Sequence, residues 1–557
     1  MDSNLYSISN NASTESLSLS HQKNEIHNSI ELPDNTTDSK PINDDIRVVV
    51  SIDFGTTSSG YAYAHIYDNE GRDDTNFDYN ISEKWPNVKT NTALLYDKEF
   101  NDVLEWGEEA LKGVIDSTSR PVELFKLGLS KLELGLNKLE IGSSELIKNL
   151  KLNLPTQLHP VEEQRYKRAI TDYLKKMGIT LKNVRWILTI PVVYSYRSKQ
   201  IMRECAFKAN LTSEIESDKL QFITEPEAAA IYCMTKNSLK KFFLGKDECG
   251  TVDLTMRKLL SNCEVALSEV TECTGDFCGS IFIDQEFLKF LGEIVGHDAI
   301  ELLCEKNYGQ MQYLIRVFCQ EVKTKYTGEE NFSYEFDLGR VCQALKNHVT
   351  GEINLFLDKK DWIIKICGND VKKMFDPVIE RIIQLVRLQL QNCRNTCSAI
   401  FMVGGFSASR YLQERIKKEF KNDVKYILTP PKPVAAVVSG AIVYGLRNNA
   451  NASVKIPLSR PIILDRVLKY TYGTNILRSN EFSILANRGA QARIDQKFEK
   501  GVQFLGELKV NLPDIDLGLN RPVKFSICFA EEELKVFAVN LQNGQNCHAT
   551  FILDSEL

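Results

Sequence analysis

Asp53 closes the run Val48-Val49-Val50-Ser51-Ile52 and is followed by Phe54-Gly55-Thr56-Thr57-Ser58-Ser59-Gly60 and then Tyr61-Ala62-Tyr63-Ala64. These residue types in this order suit phosphate chemistry. Glycine lets the backbone approach a ligand closely. The N–H groups of the turn and the hydroxyls of Thr56 and Thr57 can donate to phosphate oxygens, and a carboxylate at the strand end can hold a hydrated divalent cation. The same pattern of β-branched run, small polar turn and alternating strand describes a β-hairpin, and a hairpin turn that holds nothing fits it equally well.

Three further stretches carry chemistry. Phe222-Ile223 leads into Thr224-Glu225-Pro226-Glu227-Ala228-Ala229-Ala230-Ile231. Pro226 suits a first helical position and the alanines suit close helix packing, which leaves Glu225 at the lip of a strand-to-helix turn, as a reactive carboxylate or as a cap. Lys246-Asp247-Glu248-Cys249-Gly250-Thr251-Val252-Asp253-Leu254-Thr255, a strand over Val265 to Thr271 and a turn over Thr274 to Ser280 resemble a second phosphate hairpin. Val403-Gly404-Gly405-Phe406-Ser407 ends a buried strand in two glycines before a helix, a turn able to seat a ribose or a base because no side chain intrudes.

The elements that position these residues are legible in the periodicity. Gln164 to Met177 has helical spacing, Val184 to Ile190 reads as a buried strand closed by Pro191, and Arg197 to Asn210 is helical again. A helix-rich region is expected from Phe287 to about Tyr326 and from Arg340 to Phe356, with helices over Phe375 to Leu390, Ala408 to Phe420 and Val434 to Leu446. The stretches Gly128 to Leu134 and Gly135 to Ile141 nearly repeat, but two copies make no solenoid. From Val454 the pattern changes to period-two strands broken by Pro457, Pro461, Pro513 and Pro522. Leu505 to Val510, Val523 to Phe529, Leu534 to Val539 and Thr550 to Leu553 read as antiparallel strands, with Asn543-Gly544 as a hairpin turn.

The bulk properties narrow the class. A chain of 557 residues exceeds one ordinary core, and 43% hydrophobic with 25% charged residues is a globular composition. The net charge of −6 among 68 basic and 74 acidic side chains gives no footprint for nucleic acid or an anionic membrane. No window approaches the roughly 18 apolar residues of a membrane span, and no basic-then-apolar leader opens the chain, so a cytoplasmic protein is expected. The 14 cysteines are scattered through apolar segments and read as reduced, structural thiols. Neither Cys273 with Cys278 nor Cys393 with Cys397 has a second ligand pair nearby. Residues 1–45, rich in Ser, Asn, Asp and Thr, are expected to form a disordered tail. The glycosylation pattern at Asn11 and Asn35 is of a kind frequent by chance.

Taken in order, the motifs resemble the nucleotide-binding domain of the seventy-kilodalton heat-shock chaperones, in the actin-like ATPase superfamily. Ile52 to Ser58 is similar to that family's first phosphate motif, Leu188-Thr189-Ile190-Pro191 to the strand before its first connecting helix, and Thr224 to Ala230 to its Glu-Pro connection. Gly250-Thr251-Val252-Asp253 is similar to its second phosphate motif and Val403 to Ser407 to its adenosine motif. The likeness spans about residues 46 to 450. The stretch Gly250 to Thr255 and the region from Leu505 to Leu553 look closer to the divergent heat-shock 70 kDa protein 12 branch.

The resemblance implies an α/β chain with a two-lobed actin-like ATPase fold of duplicated RNase H-like domains over residues 46–452. A small β-rich domain resembling a peptide-binding module follows over 453–557, truncated and without a helical lid. ATP or ADP with Mg2+ would occupy the cleft. Asp53 and Asp253 would hold the metal's water shell, and Gly55, Thr56, Thr57, Gly250 and Thr251 would wrap the phosphates. Glu225 would orient the attacking water and Lys126 would neutralise charge at the γ-phosphate. Lys323 would lie near the base and ribose, with Gly404, Gly405 and Ser407 lining the pocket. Expected partners are ATP and polypeptide clients or co-chaperones, with neither nucleic acid nor membrane.

One motif departs from the family. Where the second phosphate motif should read Asp-x-Gly-Gly-Gly-Thr-x-Asp, this chain has Lys246 or a one-residue-shifted Asp247 for the carboxylate, and Glu248 and Cys249 replace two glycines. That leaves open both a weak Mg-dependent ATPase and a degenerate pseudo-ATPase serving as nucleotide sensor or interaction module. A sugar or acetate kinase of the same superfamily fits less well with Glu225-Pro226 and the C-terminal strands. Pro461-Ile462-Ile463-Leu464-Asp465 reads as an apolar interdomain linker or as the start of a strand.

Overall fold

The computed structural model describes residues 46–66, 80–81, 89–112, 121–129, 154–177, 183–192, 194–235, 252–259, 267–276, 278–393, 396–447, 463–465 and 467, and the strand segments 472–476, 481–486, 506–510, 523–528, 535–540, 546–547 and 549–553. The expected tail, the near-repeat beyond Leu129, the segment Lys246 to Thr251 and the Asn543-Gly544 turn lie outside these residues.

The run Val48–Asp53 is a strand buried along its whole length, as an uninterrupted apolar segment must be when both sheet faces are covered. It forms an antiparallel hairpin with Ser58–His65, from Val48↔His65 to Asp53↔Gly60. On its other side it pairs in parallel with Val184–Ile190, which pairs in parallel with Leu220–Thr224. The sheet order is therefore Asn80–Ile81, Ser58–His65, Val48–Asp53, Val184–Ile190, Leu220–Thr224. The three parallel strands end at one edge with Asp53, Ile190 and Thr224, where open α/β sheets receive ligands.

Alternation along Val48–Asp53 sends its side chains to two cores. Val48, Val50 and Ile52 pack with Ile170, Tyr173 and Leu174 of the helix Glu162–Lys176 and with Met202 and Cys205 of the helix Tyr196–Lys208. Val49 packs on the opposite face with Ala228 and Ile231 of the helix Glu225–Thr235 and Val438 and Ile442 of the helix Ala436–Arg447. These last two helices touch backbone to side-chain-free backbone. A Cβ on Gly440 would lie 1.7 Å from the Ala228 carbonyl oxygen, so glycine is required there. Ser51 Oγ donates to the Val438 carbonyl at 2.8 Å and ties the same helix to the central strand.

The second hairpin forms, with different boundaries from those expected. Val252–Leu254 pairs antiparallel with Thr274–Asp276, and Arg257–Leu259 with Leu267–Glu269. Thr274 to Asp276 is thus strand rather than turn, because it completes the ladder opposite Asp253. A helical region follows, with helices Ile281–Val295, His297–Lys306 and Tyr308–Phe318 and a π-helical turn Cys319–Lys323. The helix-rich region expected over Arg340 to Phe356 consists of Leu338–Val341, a 3-10 turn Gln343–Asn347 and Gly351–Asp358. The next helix, Gly368–Asn392, begins earlier than expected because the Asp370 side chain accepts from the Cys367 N–H and caps it, with Pro377 accommodated inside. Ala399–Phe401 pairs in parallel with Tyr426–Leu428 across the helix Arg410–Phe420, whose N-terminus is capped by Ser409.

Beyond residue 452, Ile463–Asp465 is a strand running parallel to Leu267–Glu269, so the apolar segment read as linker or strand start joins the sheet of the second hairpin. The four C-terminal strands expected from alternation form as Gly506–Val510 with Ala549–Leu553 and Val523–Cys528 with Lys535–Asn540, both antiparallel. Tyr472–Ile476 and Glu481–Ala486 add an antiparallel pair that alternation alone did not single out. Cys205 and Cys233 are free thiols, pushed up to about 12 by burial. Among the described residues no helix is long and apolar enough to cross a membrane.

Candidate functional site

Asp53 stands at the end of the central strand and Glu225 at the end of Leu220–Thr224, so the parallel register brings two acids to one sheet edge. Each is met by a lysine. Lys126 Nζ lies 2.6 Å from Glu225 Oε1 and also donates to the Phe54 carbonyl, with the Phe54 ring 5.8 Å below it. Lys89 Nζ lies 2.6 Å from Asp53 Oδ2, and Thr189 Oγ1 donates to Asp53 Oδ1 at 3.4 Å. Relative exposures are 2% for Asp53, 5% for Glu225, 3% for Lys126 and 7% for Lys89. Two carboxylates and two ammoniums are thus sealed together. Burial drives the Glu225 carboxyl above its ordinary range, Lys126 opposes the rise and neighbouring Asp53 adds to it.

Local backbone explains the placement. Lys126 belongs to the helical residues 125–129, which start directly after Leu124 in a left-handed conformation at φ 58°. That turn swings the chain from the strand Val122–Glu123 toward the strand end at Phe54. Tyr194 Oη donates to the Lys126 carbonyl at 3.4 Å.

The small-residue turn above these charges is tightly specified. A Cβ on Gly55 would stand 2.1 Å from the Ser58 carbonyl oxygen, so no other residue fits. Thr92 Oγ1 donates to the Gly55 carbonyl at 2.8 Å, its N–H donates to the Thr57 carbonyl at 2.9 Å, and its hydroxyl shares a 2.8 Å hydrogen bond with Ser59. Thr56 is buried and Thr57 exposed.

The remaining residues singled out in the sequence lie on other elements. Asp253 is buried in the second hairpin opposite Gly275; Gly250 and Thr251 lie outside the described residues. Gly404 takes φ 89°, a conformation that favours glycine, and its N–H donates to the Pro433 carbonyl at 2.9 Å. Ser407 Oγ donates back to the Gly404 carbonyl at 2.7 Å, which holds the Gly404-Gly405 turn shut on itself. Lys323, on the π-helical turn, donates to Asp284 Oδ1 and the Ser280 carbonyl, both at 2.7 Å. Burial lowers its pKa, but Asp284 and Cys319 more than offset that and leave it raised.

Beside the second hairpin lies a charge cluster that sequence reasoning missed. Arg257, 1% exposed, donates to Glu227 Oε1 at 2.9 Å, Glu269 Oε1 at 3.3 Å and Thr255 Oγ1 at 2.8 Å. Cys273 Sγ donates to Glu269 Oε1, and the Val467 N–H donates to Glu269 Oε2 at 2.6 Å. Glu227 sits on the same first helical turn as Glu225.

Lys89 and Thr92 were also missed. Their one sequence signal is the polar stretch Lys89-Thr90-Asn91-Thr92 ahead of the apolar strand Ala93–Tyr96. The donor set does not suit a directly coordinated divalent cation. Asp53 and Glu225 are each engaged by an ammonium, and among the described residues no three His, Cys, Asp or Glu side chains converge to hold a metal. Two lysines, each engaged by a carboxylate, and a hydroxyl-bearing turn thus stand at one strand edge.

No family model matches the chain. Over 594 residues it is 23% identical to heat shock 70 kDa protein 12A of Mus musculus, covering 91% of this chain and 83% of that protein. The human protein of the same name matches to the same extent. Heat shock 70 kDa protein 12B of Homo sapiens is 22% identical over 633 residues, covering 90% of each chain. The chain resembles the divergent heat-shock 70 kDa protein 12 branch along nine-tenths of its length, as its motifs indicated.

Proposed function

Given that kinship, we propose that this protein binds ATP or ADP in an actin-like cleft between two RNase H-like lobes and that the bound nucleotide governs the β-rich segments after residue 452. The observation that carries the reading is the sealed pairing of Asp53 with Lys89 and of Glu225 with Lys126 at the carboxyl edge of three parallel strands, beneath a turn that only Gly55 can make. A triphosphate at this edge meets the Thr56 and Thr57 hydroxyls and the turn N–H groups, with Lys126 already aimed by the Phe54 carbonyl. On this reading Gly404 and Gly405, closed by Ser407, supply a small-residue turn for the nucleoside, and Lys323, paired with Asp284, is the cation assigned to the base and ribose. Polypeptide clients or co-chaperones are the partners this reading implies, in the cytoplasm.

A second reading is a pseudo-ATPase that senses nucleotide without turning it over. It is favoured by Glu225, whose carboxylate is already engaged by the buried Lys126 ammonium rather than open to an attacking water. Magnesium, implied by the family resemblance, would have to compete with Lys89 for Asp53.

Calorimetric titration of the full chain with ATP is expected to show saturable binding, and Gly55→Ala to abolish it, because the added carbon would displace the Ser58 carbonyl. Binding that survives Gly55→Ala removes the hairpin from the site. Phosphate release in the same samples separates the two readings: steady turnover supports the ATPase, and binding without turnover the sensor.

A further inference from the structure

Lys89 has no part in the motifs that led to the nucleotide reading, yet it is fixed at their centre. The strand Thr90–Asn91 pairs with the first hairpin through Ser59↔Thr90 and Ser58↔Asn91, and Thr92 bonds to the Gly55 and Thr57 carbonyls. Residue 89 is therefore set beside the turn by backbone pairing, and its Nζ reaches Asp53 Oδ2 at 2.6 Å with both side chains buried. Lys126 stands in the same relation to Glu225. Between these four groups the formal charge is balanced by protein alone.

A divalent cation brought to Asp53 must expel this ammonium or stand beside it. Like charges a few ångströms apart in a poorly hydrated site repel strongly, so the second arrangement is disfavoured. Lysine is also a competent phosphate ligand, a compact charge on a flexible stem that can shift from carboxylate to phosphate oxygen without leaving the site.

Resting on the nucleotide reading above, we propose that Lys89 is the resident counter-cation of this cleft, a phosphate-binding residue that takes the role a divalent metal would fill, so that the chain binds a nucleoside triphosphate without added metal.

The test is calorimetric titration of the full-length protein with ATP, once in excess magnesium and once in EDTA. Wild-type affinities in the two buffers are expected to agree within about tenfold. Lys89→Gln is expected to retain binding in magnesium, since the metal can then take Asp53, and to widen the gap between buffers by at least about another tenfold. Lys89→Arg is expected to keep the gap narrow. A purely structural ion pair would lower both affinities together and leave the gap unchanged, which overturns the proposal; so does wild-type binding seen only with magnesium. Absence of binding in both buffers overturns the nucleotide reading itself. If Lys89→Gln does not fold, thermal melting of the wild type decides. A rise in Tm with ATP in EDTA supports the proposal, and a rise only with magnesium and ATP overturns it.

Discussion

Glu269 divides its two oxygens between different neighbours. Oε1 meets Arg257 and Cys273, and Oε2 accepts the Val467 N–H. Burial pushes its pKa above the ordinary 4.5, Arg257 opposes the shift, and nearby Glu227 reinforces it. The folded state then holds the Glu269 proton more tightly than the unfolded chain. This group's stabilising contribution is full below about pH 4.5 and is lost as pH rises through the raised value. Glu269→Gln cannot titrate, so urea unfolding across a pH series should show the variant gaining on the wild type from about pH 4.5 towards neutrality; a constant difference would mean that Glu269 stays ionised throughout. Residues of this kind were the least legible in the sequence. Asp53 and Glu225 were marked by the turns that follow them. Lys89 and Arg257 became meaningful only when the fold brought partners from 36 and 30 positions away.

The elements were read more successfully than the contacts between them. Val184–Ile190 emerged with the expected bounds because a buried parallel strand is an uninterrupted apolar run, and the C-terminal strands because alternation survives without tertiary help. The failure at Thr274 to Asp276 has a physical cause: the segment has the composition of a turn but completes a ladder. The alanines over 228–230 announced close helix packing, and the structure locates it where the Ala228 carbonyl meets Gly440. Gly440→Ala is accordingly expected to cost about 1–3 kcal/mol in chemical denaturation, since backbone cannot yield as a side-chain tip can. A neutral substitution would show that the two helices are free to separate.

Across the whole molecule, residues after 452 meet the preceding α/β region where Ile463–Asp465 lies along Leu267–Glu269 and Val467 bonds to Glu269. Val467→Pro deletes that donor and should speed amide exchange over 463–465 by about tenfold while leaving the core of Val48–Asp53 protected. Equal protection in the variant would mean that strand pairing alone holds the segment. Glu269 leads through Arg257 to Glu227, which stands two residues beyond Glu225 on one helix. At 3.6 residues per turn these two carboxylates point about 200° apart around the axis. Held by Lys126 on one side and by Arg257 on the other, the first turn of that helix is pinned against rotation about its own axis.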